Sequence, residues 1–91
     1  MTRKKALAEL RALFERNGYA RSEPDRRRFK TTHRGYELRW AANDAEERDR
    51  IVGLLRRAGF RPGRPFAKVH QFRVPVYGAG QVRELTGRLG I

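Results

Sequence analysis

The chain has 91 residues and carries a formal charge of +12, from 22 basic and 10 acidic side chains. That length holds one modest hydrophobic core and leaves no material for a second. Cysteine is absent, which excludes a disulfide framework, thiolate chemistry and a zinc finger, and no run approaches the ~18 apolar residues of a membrane span.

The spacing of Ala6, Leu7, Leu10, Leu13 and Phe14 predicts an amphipathic first helix from about Thr2 to Asn17. Gly18 then stands where a left-handed stop belongs, and Tyr19 is expected to fold back onto the helix stripe. Residues 20–27, with Ser22, Pro24 and Asp25, read as a loop. Two alternating runs follow, 28–33 and 36–42, around the dipeptide Arg34-Gly35. Read as a tight hairpin, they pair His33 with Tyr36, Thr31 with Leu38 and Phe29 with Trp40. Those residues make the core face, and Arg28, Lys30, Thr32, Glu37 and Arg39 make the outer one.

Asn43-Asp44 opens a second helix, with Asp44 and Glu47 at capping-box spacing and Ile51, Leu54, Leu55 and Ala58 on its buried stripe. Gly59-Phe60 is expected to end it as Gly18-Tyr19 ends the first. Residues 61–65 are a turn-rich connector, Arg-Pro-Gly-Arg-Pro. From Phe66 to Tyr77 the chain reads as extended, either one bent strand or a hairpin turning near residues 68–71. Phe72, Val74 and Val76 share one face; Gln71, Arg73 and Pro75 share the other. Pro75 has no amide proton, which predicts that this end lies at a sheet edge. Gly78-Ala79-Gly80 leads into a last helix with Val82, Leu85 and Leu89 inward, stopped by Gly90.

The expected fold is a single α+β domain over residues 1–91, ordered αββαβ(β)α. Three helices pack on one face of a small, mainly antiparallel sheet of three or four strands. A pseudo-repeat of 6–42 and 51–77 is suggested by two helix, Gly-aromatic, basic loop and strand runs; any helix-to-strand unit also needs those parts.

The basic residues are concentrated. Only Lys4, Lys5, Lys30 and Lys68 are lysines and the rest are arginines, whose planar fork suits phosphate and guanine edges. A GC-rich genome also raises Arg, Ala and Gly together. No acid occurs from Ile51 to Arg83. The expected partner is nucleic acid, RNA or DNA, or another polyanion. The contacts are assigned to Arg26, Arg27, Arg28, Lys30, Arg34, Arg39, Arg61, Arg64, Lys68 and Arg73, with Tyr36 and Tyr77 as base-stacking candidates. Gly78-Ala79-Gly80 resembles a phosphate turn only faintly, lacking the lysine and third glycine of such loops.

His33 and His70 sit among arginines, the setting of an acid–base pair for RNA cleavage, but no acid or serine stands at a defined spacing from either. No catalytic residue, metal site or cofactor is therefore assigned. The alternatives to nucleic-acid binding are a regulator whose basic face meets an acidic protein, and a histidine-dependent ribonuclease or toxin. The expected location is cytoplasmic, with no membrane partner.

If residues 66–77 form a hairpin, the order αββαββα is similar to one unit of the LAGLIDADG homing endonucleases. That resemblance implies use of the outer sheet face on DNA. It does not extend to cleavage, because helix one ends Phe14-Glu15-Arg16-Asn17-Gly18 and lacks the motif's catalytic acid.

Overall fold

The computed structural model describes residues 1–21 and 36–91. The first helix, α1 (Arg3–Asn17), starts where the Thr2 hydroxyl accepts the Lys5 amide at 3.2 Å, which satisfies one of the orphan donors of the first turn. It runs directly into β1 (Gly18–Arg21). Then come β2 (Glu37–Ala42), α2 (Ala45–Arg57), β3 (Phe66–Lys68), β4 (Gln71–Tyr77) and α3 (Ala79–Leu89).

Helix α2 begins as its spacing predicts. Asp44 caps it by accepting the Glu47 amide at 2.8 Å, and Glu47 reaches back to the Asn43 amide at 3.1 Å. The same carboxylate pairs with Arg16 at the end of α1, so one acid ties together two helix ends.

The four strands form an antiparallel sheet in the order β1-β2-β4-β3. Each αββ segment places its second strand at the centre, where Leu38 faces Val76, Trp40 faces Val74 and Ala42 faces Phe72. Leu38, Trp40, Ala42, Val74 and Val76 share a core with Ala6 and Leu10 of α1, Ile51, Leu54 and Leu55 of α2, and Val82, Leu85 and Leu89 of α3. Trp40 is fully buried at the centre. Its indole N–H donates to the Leu10 carbonyl at 2.9 Å, and the Phe14 ring meets it edge-on with centroids 5.4 Å apart.

Several expectations change. The neighbours of β2 are β1 and β4, so Gly18 stands opposite Trp40 and Ala20 opposite Leu38. Those are the places that the tight hairpin gave to Phe29 and Thr31, which lie with His33 outside the described residues. Strand β1 follows α1 without a loop and occupies the β2 edge that the tight hairpin would have used.

Gly18 is not left-handed either: its φ of −84° and ψ of 157° are extended. Its need is space, because a Cβ there would lie 2.5 Å from the Phe14 carbonyl oxygen and closer still to the ring. Tyr19 consequently turns away from the helix stripe. Gly59, with φ +91°, does take the left-handed conformation, and Phe60 after it is buried.

Residues 66–77 are a hairpin, so the described order is αββαββα. Its turn is Val69-His70, both at positive φ (35° and 60°), as a two-residue type I′ turn requires. His70 is therefore at a turn and not mid-strand. Pro75 lies in a central strand, yet on its β3 side no strand pairs with it, so that end of β4 is a local edge as expected. Strand β3 pairs only with residues 71–73, and beyond it the Pro75 carbonyl accepts the Gly63 amide at 2.7 Å. Because a strand residue's N and O point the same way, the missing amide faces that connector and the β2 ladder loses nothing.

Candidate nucleic-acid interface

Strand alternation sends every second residue away from the core. On this sheet the outer face comprises Tyr19 and Arg21 of β1, Glu37, Arg39 and Ala41 of β2, Gln71, Arg73, Pro75 and Tyr77 of β4, and Phe66 and Lys68 of β3. The registers align Tyr19, Arg39 and Pro75 in one row and Ala41, Arg73 and Phe66 in the next.

The middle of this face is filled. Glu37 is only 3% exposed, and Ala41 and Pro75 are buried with it. Arg39 holds Glu37 with both arms of its guanidinium, one at 3.2 Å and the other shorter. That carboxylate raises the Arg39 pKa above its ordinary value, against the opposing effect of partial burial. The guanidinium carbon lies 5.6 Å from the Tyr19 ring centroid and 5.4 Å from that of Phe66. Arg39 thus spends its charge inside the face, on one acid and two rings.

Around this centre stand groups with spare capacity. Lys68 is exposed, and Arg73 is half-buried with its Nη1 donating to Gln71 at 2.7 Å. Tyr77 and Tyr19 are each 47% exposed. The connector between α2 and β3 adds exposed Arg61 and Arg64. Gln81 of α3 clamps that connector, accepting the Arg61 amide and donating to the Arg61 and Tyr77 carbonyls at 3.1 and 3.2 Å. Gly63 sits against the outer-face rings, where an added Cβ would come within 2.5 Å of Tyr77 Cε2 and 3.3 Å of Pro75 Cγ.

The described acids are sorted between the layers, whereas cations occur in both. Every described acidic side chain except Glu37 belongs to a helix or its cap. There the acids pair with helix arginines: Arg50 with Glu9 at 2.8 Å, Arg11 with Glu15 at 3.2 Å, and Arg3 and Arg88 with Glu84 at 3.7 and 3.6 Å. Among the described residues no carboxylate lies within ion-pair distance of Arg61, Arg64, Lys68 or Arg73. A cation without a bound acid is the kind that binds phosphate without first breaking a contact.

Of the residues singled out from sequence, the structure gathers Arg61, Arg64, Lys68, Arg73 and Tyr77 along the outer face and its connector. Arg39 is there too, but engaged. Tyr36 is on the other side: it packs against the core, and Arg83 of α3 lies over its ring at 5.0 Å and donates to its hydroxyl at 2.9 Å. Arg26, Arg27, Arg28, Lys30 and Arg34 lie outside the described residues. His70 is exposed at the β3–β4 turn and makes no hydrogen bond among the described residues.

Sequence reasoning assigned no site role to Tyr19, Arg21 or Phe66. Their signal was weak, an alternation of small and large residues in Gly18-Tyr19-Ala20-Arg21 and an aromatic at the start of a three-residue strand. No group of three or more metal-ligating side chains occurs among the described residues, and no described helix is long and apolar enough to cross a membrane. Comparison with protein-family models, with curated proteins and with solved structures finds no match to this chain.

Proposed function

We propose that this protein binds nucleic acid without cleaving it, using the outer sheet face and the connector to hold the phosphate backbone. The observation that carries this reading is the gathering of Arg61, Arg64, Lys68 and Arg73 on one face and its connector with no described acidic partner, while six helix arginines, Arg3, Arg11, Arg16, Arg48, Arg50 and Arg88, are paired with acids and Arg56, Arg57 and Arg83 are not. Phosphate contacts of this kind supply most of the affinity and little sequence choice. The lone acid of the face, Glu37, is buried and neutralised by Arg39, so it offers an approaching phosphate little repulsion.

The test is a titration of duplex DNA, single-stranded DNA and structured RNA at several salt concentrations. Binding should weaken steeply with salt. Changing Arg61, Arg64, Lys68 and Arg73 together to alanine should flatten the slope of log K against log salt by about 0.7–0.9 for each phosphate that is no longer neutralised. Stability should change little, because these side chains anchor no core. Absence of salt-sensitive binding to all three nucleic acids removes this reading and leaves an acidic protein as the partner to seek. RNA cleavage that disappears on changing His33 or His70 to alanine would overturn the non-catalytic part.

A further inference from the structure

We infer that the preferred ligand of the outer face is a single strand, with bases stacked on Tyr19 and Tyr77. This rests on the nucleic-acid reading above and narrows it.

Three rings stand on the outer face, Tyr19, Phe66 and Tyr77, although the core is built on the opposite side. Each of the two tyrosines is braced by the protein yet remains about half exposed. Tyr77 rests against Gly63, the close approach that leaves no room there for a Cβ. Tyr19 has the Arg39 guanidinium against its ring and takes a 3.4 Å hydrogen bond to its hydroxyl from Arg21. Such rings lose little freedom when a base lands on them, so more of the stacking energy appears as affinity.

A duplex cannot use them, because its bases are stacked on one another and it presents phosphates and sugars to a flat face. A single strand splays its bases and offers one aromatic surface per nucleotide. The two tyrosines are two strands and two residues apart in the ladder, roughly 12 Å at ordinary sheet spacings, so each has room for its own base. By register Glu37 and Arg39 of β2 lie between the two rings, and Arg73, Lys68 and the connector arginines lie toward β3, where they can take phosphates that flank the stacked bases. Charge alone would serve any polyanion; the braced rings on the same face as the cations discriminate.

The experiment compares a short mixed-sequence single strand with the blunt duplex that contains it, against the wild-type chain, the Tyr19→Leu/Tyr77→Leu variant and the Tyr19→Phe/Tyr77→Phe variant. Unchanged urea midpoints establish that all three are folded. The wild type should prefer the single strand. The leucine variant should lose on the order of tenfold per ring toward it, with its salt slope kept, while the phenylalanine variant retains affinity. Equal, salt-sensitive binding of strand and duplex, with the leucine variant indifferent, overturns the stacking inference and leaves the phosphate reading standing. Equal losses toward both ligands in the leucine variant also overturn it. No salt-sensitive binding to either ligand removes both.

Discussion

Replacing Gly18 with alanine separates two reasons for a glycine after a helix. The backbone there, at φ −84° and ψ 157°, is open to any residue. If conformation alone mattered, alanine would stabilise the protein by about 0.4–1 kcal/mol by restricting the unfolded chain. The space decides otherwise. The new methyl group would overlap the Phe14 ring and its carbonyl oxygen; the ring can swing away, but the helix backbone cannot. Overpacking of this kind costs about 1–3 kcal/mol. Displacing Phe14 also forfeits its edge-on contact with Trp40, worth about 0.5–1.5 kcal/mol. The expected net loss is about 2–3 kcal/mol, or roughly 10–20 °C in Tm for a domain of this size. Urea unfolding followed by Trp40 fluorescence and far-ultraviolet circular dichroism measures it. Gly59→Ala is the control: its nearest neighbour is Arg3 Nη2 at 3.9 Å, so its cost of about 1–2 kcal/mol is purely that of a positive φ. A Gly18→Ala protein as stable as the wild type would refute the steric account.

The Val69-His70 turn holds two non-glycine residues at positive φ, and changing the pair to Asn-Gly should raise stability by about 1–2 kcal/mol in the same urea assay. Gly63→Ala should push the Tyr77 ring outward at a cost of less than about 1 kcal/mol, since a ring end yields more readily than backbone; its readout is a rise in tyrosine quenching by acrylamide. The Arg16 hydrogen bond holds the Glu47 carboxyl below its ordinary pKa. Its contribution is therefore complete above the unfolded carboxyl value, near pH 4.3, and fades as pH falls through the lower folded value. Glu47→Gln should lower the urea midpoint at pH 7 modestly, since Arg16 is largely exposed, and should reduce the loss of stability on going to pH 3.

The long-period features were legible in the sequence. The apolar stripes of α1 and α2, the Asp44–Glu47 cap and the alternation of β2 and β4 each follow from local chemistry, and each has its place in the structure. Strand β1 was not legible. It has four exposed residues, two of them Gly and Ala on the core side, so it shows no apolar alternation. Its existence depends on the β2 edge being free to receive it, which is a property of the assembled sheet. The Gly18-Tyr19 and Gly59-Phe60 pairs show the same limit: identical in pattern, they differ because one helix leads directly into a strand and the other into a connector. The candidate interface was legible in its cations Lys68, Arg73, Arg61 and Arg64. It was not legible in Tyr19 and Phe66, whose outward direction is set only by the register.

With no described carboxylate in ion-pair distance of Arg61, Arg64, Lys68 or Arg73, the sheet face and its connector carry a positive field that nothing nearby cancels. For a polyanionic ligand of the kind proposed above, that field would act before the surfaces touch and favour encounters on this side. Fewer collisions are then wasted on the wrong side, and association is faster than blind diffusion would allow. The advantage fades as ions shorten the reach of the field to about 10 Å at 0.1 M salt. Salt would thus act on this protein twice, loosening the bound complex and randomising the approach to it.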